Sequence, residues 1–499
     1  MSRVLVIGAG IGGMSAAIRL AKAGHQVEIF EGSDQVGGKC RTKWIGSVAF
    51  DTGPTLLTLP AVYRDLFIST GDSLDSVLDL VPVNPSFDYR FANGDSVVFE
   101  NLSRLQTLGA IRGAFGEKSA LDWNSLMLRA ERMWDVSRTP FIESELNSLF
   151  SLAKRPSFLR DLQTIAPWKS LRSLVKEISP DQRLQYIVDR YATYSGSDPR
   201  RAPAVLLSIA FVEEAFGAWH IRGGVGKLAL AMNDRAMELG IKIHLNAQVV
   251  AINQKQGRAT GITLKDAMVI EAEIVVANAD ATQVYSSLLA EPLPQLRKPR
   301  RALRKASPSL SGFSIYLALK RDTRAKQLRH HTVLFPANYD AEFDAIFSKG
   351  IPVEDPAIYI CAPQDSEMVK DQSSEGWSIL INAPRHSLNG AGWNWNDPIF
   401  AQEYSQKIIN RIEAHGYAIR NRLLRMDIRT PADLEGEVMA PGGSIYGTSS
   451  NGVRSAFSRA RNRSPIKGLF CVGGSAHPGG GLPLVGISAE IVAKAIGKA

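Results

Sequence analysis

Cysteine is scarce in this chain. Cys40, Cys361 and Cys471 stand far apart among 499 residues. That spacing excludes a disulfide framework and a Cys-x-x-Cys metal site, and it predicts a reducing compartment. No metal-ligand set is expected. Long apolar runs are missing too. The longest, 202–212, contains Pro203 and reaches barely half of the ~20 residues a membrane-spanning helix needs. An apolar strand pattern starts at Val4, so no signal peptide is expected and a cytoplasmic location is. No nucleic-acid module can be recognised, and no Ser/His/Asp or Cys/His nucleophile set can be placed. The net charge of +9 therefore points to an anionic membrane surface as partner, and not to nucleic acid. What remains is an ordinary globular composition, 45% hydrophobic and 21% charged, in a chain too long for one core.

The informative stretch comes first. An apolar run from Val4 to Ile7 reads as a buried parallel strand. Gly8, Gly10 and Gly13 follow it as G-x-G-x-x-G, then a helical run that Gly24 stops. A second apolar run ends in Glu31, eighteen residues after Gly13. Strand, glycine turn, helix and acid in that order form a dinucleotide fingerprint. Gly8 allows the tight turn, Gly10 lets backbone approach a pyrophosphate, and Gly13 lets helix and strand pack. The helix N-terminus offers free N–H groups and a positive dipole end. Glu31 suits a ribose diol and repels a 2′-phosphate. The plain alternative, a glycine-rich turn, does not explain this order.

A second glycine pair selects the cofactor. Gly37, Gly38, Lys39 and Arg41 follow Glu31, giving acid-x5-GG-x2-Arg. This resembles the extension of two-dinucleotide-domain flavoproteins, which runs along FAD. The bland reading is a flexible surface turn. Asp51-Thr-Gly53-Pro54-Thr55 comes next, then Arg190-Tyr-Ala-Thr-Tyr194-Ser-Gly196 and Gly223-Gly224. Near the C-terminus stands Gly473-Gly474-Ser-Ala-His477-Pro-Gly-Gly480-Gly481-Leu-Pro483-Leu484 before a helix. Together these blocks resemble the carotenoid and phytoene desaturase family, with the 190–199 wording closest to the 1-hydroxycarotenoid 3,4-desaturases.

The resemblance implies an α/β, two-domain flavoprotein of the Rossmann type, with a discontinuous FAD domain (1–75, 218–282 and 460–499). The remainder, 76–217 and 283–459, is then a mixed-sheet and helical domain that takes substrate and touches a membrane. It implies FAD held by Gly8, Gly10, Gly13, Glu31, Gly37, Gly38, Lys39, Arg41, Gly53, Pro54 and Thr55. Val249 by its backbone, Asn278, Gly474, Pro483 and Leu484 complete the set. The implied substrate is an apolar polyene in an apolar tunnel, desaturated by hydride transfer to flavin N5. His477 is the weak candidate for a catalytic base; a structural role in its loop is the alternative. A flavin amine or protoporphyrinogen oxidase, a carotenoid isomerase, and a non-enzymatic lipid carrier on the same scaffold stay open. The exact carotenoid and the oligomeric state are not legible.

Elsewhere periodicity predicts helices at 122–134, 225–239, 399–414 and 487–496. Strand patterns fall at 241–252, 260–264, 268–273, 274–280, 309–319, 357–361 and 377–382. Basic residues beside Leu, Phe and Trp at 152–176 suit either an interfacial helix or a core-facing helix with a solvated basic face. Residues 297–305 carry six cations in nine positions, read as a solvated charge run or a membrane-surface anchor.

Overall fold

The computed structural model describes residues 1–146, 156–390, 392–452, 455 and 459–499. Its nucleotide-side sheet is built around β1 (Arg3–Ile7), which leads through α1 (Ile11–Lys22) into β2 (Gln26–Phe30). The chain returns much later with α2 (Gly226–Glu238), β3 (Lys242–His244) and β4 (Ile274–Ala277). Near its end it adds β5 (Leu469–Cys471) and α3 (Leu482–Ile496). The five strands run parallel in the order β5-β4-β1-β2-β3.

Alternation explains why β1 reads as an unbroken apolar run. Val4 and Val6 join a core with α1, α2 and α3, while Leu5 and Ile7 face the opposite way. Successive side chains of a strand point to opposite faces, and both faces here are covered. The second cover is a three-stranded antiparallel sheet, Val249–Lys255, Arg258–Leu264 and Val269–Glu271. Its core continues past residue 282 to Val284, Tyr285, Leu288 and Leu296. The β pattern at 241–252 is split between the two sheets. Asn246 at φ +55 turns the chain between them, and Asn tolerates that left-handed geometry.

The second half is a seven-stranded mixed sheet. Its order is Leu423–Arg429, Ser311–Lys320, Ser374–Ala383, Ile358–Cys361, His331–Leu334, Phe87–Arg90, Ser96–Phe99. The last two strands lie in a region for which the sequence reading gave no strands. They are four-residue strands, too short to show a period, and they join through one parallel pairing with His331–Leu334. Helices Glu117–Ser137, Leu171–Ile178, Gln182–Thr193 and Ser208–Phe216 bury their apolar faces against Phe87, Tyr89 and Phe335. The hairpin of Thr42–Ile45 and Val48–Asp51 joins the halves, since Val48 and Phe50 pack on Tyr316 and Ala318. The architecture is a two-domain α/β one. Among the described residues no helix is long and apolar enough to cross a membrane.

Of the two readings of 152–176, the core-facing one describes its second part, although the stretch is not one helix. Residues 152–155 lie outside the described residues, and the rest forms Phe158–Ile165 and Leu171–Ile178, separated at Ala166 with φ +48. Leu171, Leu174 and Val175 belong to the core. Arg172 is buried as well, donating from Nε to Asp189 Oδ2 at 2.7 Å and pairing with Asp340 at 2.9 Å. Burial pushes the Asp189 carboxyl up to about 7 while Arg172 pulls it back. Removing one partner of such a pair leaves a charge stranded in low dielectric. Arg172→Met is therefore expected to cost about 3–5 kcal/mol in urea unfolding, and Arg172→Met with Asp189→Asn much less. Equal losses in the single and double variants would show that the ion pair is not the cause.

Candidate active site

The site is assembled where β1 ends. Gly8 turns at φ +92 and donates its N–H to Phe30 O at 2.8 Å, which locks the turn against β2. Glu31, at the end of β2, accepts from Ala9 N at 2.8 Å and from Ser33 N and Oγ at 2.9 and 2.7 Å. Arg41 reaches back to Ser33 Oγ at 2.6 Å and to the carbonyls of Gln35 and Val36. The acid, the glycine turn and Arg41 thus form one network. The second glycine pair lies directly on the first: Gly37 N donates to Ala9 O at 2.9 Å, and a Cβ on Gly38 would lie 3.3 Å from Gly10 Cα.

Asn278, just beyond β4, explains most of the glycines. Its N–H donates to Ile7 O at 2.8 Å, and its side chain lies under the turn. A Cβ on Gly10 would lie 2.8 Å from its Nδ2, and one on Gly12 2.7 Å from its Oδ1. A Cβ on Gly473 would also strike Oδ1, and one on Gly13 would strike Gly8 O. Gly13 thus serves strand–helix packing, as its place in the motif suggests. Gly10 has a further duty beyond pyrophosphate approach, which is to clear space for Asn278.

The other predicted residues lie on segments that pack around this turn. Lys39 and Tyr446 lie deep yet keep part of their surface uncovered. Lys39 Nζ donates to the carbonyls of Ser444 and Ile445 at 3.0 and 2.7 Å, and desolvation lowers its pKa to about 8. Gly53 is required because a side chain there would strike Lys39 O. Pro54 leads away to Thr55, whose Oγ1 lies 2.6 Å from Tyr359 OH on the seven-stranded sheet. Segment 246–247 runs against β2's end through Asn246 N to Ser33 O and Ala247 N to Glu31 O, which brings Val249 alongside. Gly474 O accepts from Arg459 Nη1 at 2.8 Å. Pro483 and Leu484 form the first turn of α3, after Gly481, and Leu484 sits 3.6 Å from where a Cβ of Gly479 would be.

His477 holds its loop in place. The residue is buried, its Nε2 lies 2.9 Å from Ser144 O, and its own carbonyl accepts from Asn462 Nδ2 and Ser488 Oγ. Desolvation lowers its pKa to about 4. A ring nitrogen beside a carbonyl serves as donor there, so the geometry favours the structural role over the base.

The arrangement fits an anionic dinucleotide. Gly10 caps α1 without a side-chain acceptor, so no side-chain cap claims the first-turn N–H groups. Lys39, Arg385 and Arg459 are all desolvated and all face Asp280, with Glu435 also answering Arg385. Arg459 falls to about 10 and spends its donors on the carbonyls of Tyr446, Thr448 and Gly474. Positive charge exceeds negative around Asp280, which favours bound anions. Sequence reading did not single out Ser33, Asp280, Arg385, Tyr446 or Arg459. Asp280 closes the strand pattern that ends at Asn278, a signal that was present. The others are isolated residues that only the fold brings in. Leu56, Leu59, Leu206, Ile209 and Phe216 are half-buried and pack against the helical core.

The profile of flavin containing amine oxidoreductases matches residues 11–348. A hydroxyneurosporene desaturase of Cereibacter sphaeroides is 31% identical over 99% of this chain and 97% of its own. A 1-hydroxycarotenoid 3,4-desaturase of a Flavobacterium strain is 29% identical over 99% of both chains. A 4,4'-diapolycopene oxygenase of a Methylomonas species is 29% identical over 98% of this chain and 97% of its own. Among solved structures, putrescine oxidase bound to putrescine superposes with a TM-score of 0.65 at 15% identity, covering 99% of this chain and 98% of that one. That last likeness speaks for the fold alone.

Glu31→Ala is expected to weaken dinucleotide binding by about 1–3 kcal/mol, because it removes a charged acceptor and frees the Ala9 and Ser33 donors. Titration of flavin fluorescence on apoprotein reads this. An unchanged dissociation constant would take Glu31 out of the ribose site.

Proposed function

The chain belongs to the flavin containing amine oxidoreductase family, and from that premise we propose that it desaturates a long carotenoid-type polyene with FAD as cofactor. The observation that carries this reading is the joined glycine turn: two glycine segments, Glu31 and Arg41 in one network. FAD, held by the glycine turn, Glu31 and Lys39, would supply the two-electron oxidation that desaturation needs. The chain's own residues position and insulate. The N-terminus of α1 and the Lys39, Arg385 and Arg459 cluster hold negative charge. Leu56, Leu206 and Ile209 keep water from the polyene.

Curated relatives carry names of both desaturases and oxygenases, and one experiment separates these outcomes. Pigments from a carotenoid-producing host that expresses the chain should lose a pair of hydrogens per new double bond and absorb further to the red. Added oxygen would instead establish the oxygenase reading, and an unchanged mass with altered retention would indicate isomerisation. In the same host, Gly480→Val should abolish the new pigment. A Cβ there strikes the Tyr446 ring, and the displaced loop starts α3. Normal pigment from a folded Gly480→Val protein would exclude this loop from the site.

The chain works at an anionic membrane surface in this reading. Helix Arg297–Lys305 buries none of its residues, and Leu159 and Trp168 are 76% and 62% exposed. Arg300 is committed elsewhere, since its guanidinium donates to the carbonyls of Tyr285, Leu289 and Glu291. Arg297, Lys298, Arg301, Arg304 and Lys305 are the exposed cations. At about 1 kcal/mol each near an anionic surface, they set the upper scale of attraction. Reversing Arg301, Arg304 and Lys305 to Glu should abolish flotation with anionic liposomes, and salt should weaken the wild type. Equal flotation of wild type and variant would remove this helix from the contact.

A further inference from the structure

Three of the chain's eight histidines meet beside the seven-stranded sheet: His331 on it, His330 just before that strand and His220 on the short strand Trp219–Ile221 of a separate two-stranded sheet. His331 pairs in register with Cys361 on the adjacent strand, so the two side chains stand on one face. His330 precedes it, and its ring centre lies 4.5 Å from that of His331. His220 adds a third ring, 4.9 Å from His330. Imidazoles that share one tetrahedral zinc, with Zn–N of about 2.0–2.1 Å, have ring centres about 5 Å apart. One nitrogen of His330, one of His331 and the sulfur of Cys361 all lie within 4.8 Å of one another.

The cluster also has unmet demand. Nε2 of His330 and Nε2 of His331 are both buried without a hydrogen-bond partner, and His331 is fully buried. Such an orphan costs about 1–3 kcal/mol unless something pairs it. Each outer ring is already oriented by a neighbour. His331 Nδ1 lies 2.8 Å from Tyr359 OH, which continues to Thr55 Oγ1. His220 Nε2 lies 2.8 Å from Asp365 Oδ2, and Asp365 is itself held by Gly223 N at 2.6 Å. Partners of this kind orient the rings of metal-binding histidines. The nearby cation Arg190 is answered by Glu213 through Tyr194, so its charge is not left facing the cluster alone.

We propose that His330, His331 and Cys361 form a zinc site. Two imidazoles and a thiolate suit a borderline-soft d10 ion and do not suit magnesium or calcium, which take oxygen ligands. Zinc binds the thiolate sulfur as the Cys361 S–H bond breaks, and the proton leaves to solvent. No electron changes hands. Three protein ligands leave a fourth position, with His220 the nearest further imidazole. The ion clips His331–Leu334 to Ile358–Cys361, and through Tyr359 and Thr55 it stiffens the segment that follows Gly53. The site stands independently of which polyene the enzyme takes.

The test is elemental analysis of untagged, FAD-loaded protein from zinc-replete cells. About one zinc per chain is expected, falling to background in Cys361→Ser and in His330→Gln while both keep FAD. Chelation should lower the melting temperature of the wild type and leave that of Cys361→Ser unmoved. If the variants do not fold, cobalt replaces them as the probe. Wild-type holoprotein loaded with Co2+ should show near-ultraviolet thiolate-to-cobalt absorption, and its absence overturns the site. Less than about a tenth of an equivalent of zinc in the wild type, with no uptake from added Zn2+, also overturns it. So does copper in place of zinc, or full zinc in both variants.

Discussion

The cofactor side of this protein depends on one close approach of backbone to a single side chain. Asn278 lies beneath the first glycine turn and beside Gly473, within reach of five positions that carry no Cβ: Gly8, Gly10, Gly12, Gly13 and Gly473. A methyl group at Gly10 or Gly12 would sit 2.8 or 2.7 Å from the Asn278 amide. The backbone N–H of Asn278 ties the end of β4 to Ile7 of β1, and its side chain packs against Gly473, among the C-terminal glycines that precede α3. Three distant parts of the chain therefore share one steric constraint. The glycines that look like ligand-approach residues are equally the means by which the sheet closes.

Charge sets the second constraint. Burying Lys39, Arg385 and Arg459 around Asp280 is unfavourable without anions, and desolvation lowers all three pKa values. A pyrophosphate or an electron-rich ring placed there relieves that strain. The half-buried Leu56, Leu206 and Ile209 on the helical core make no such demand and suit a hydrocarbon chain. The division between a cationic half and an apolar half is the physical basis for joining a charged cofactor to an uncharged polyene.

Much of this was legible in residue order. The strand–glycine–helix–acid pattern located β1, α1 and β2 to within a few residues, because both faces of the strand are buried and the turn chemistry is strict. Strands of ten residues such as Ser311–Lys320 were equally visible. Short strands were not: Phe87–Arg90 and Ser96–Phe99 have too few residues to show a period, and the sheet chooses them through tertiary pairing. The 152–176 stretch was legible as a core-facing helix, but its basic face was read as solvated, whereas Arg172 is buried against Asp189 and Asp340, residues distant in sequence. Arg385 and Arg459 carried no local signal, and neither did the meeting of His331 with Cys361, which depends on strand register.

The parallel sheet also imposes an order on the protein's birth. β1 lies at the middle of the sheet, yet its neighbour β4 ends at Ala277 and the edge strand β5 ends at Cys471. On the ribosome, the first strand emerges hundreds of residues before its partner on that side. The glycine turn cannot settle until Asn278 and Gly473 have both been made, so the cofactor cradle is completed only near the end of translation. Pairings this distant in sequence fold slowly and leave apolar strand edges uncovered meanwhile. Chaperone demand and late cofactor loading are thus written into the connectivity of the sheet, quite apart from the chemistry that it supports.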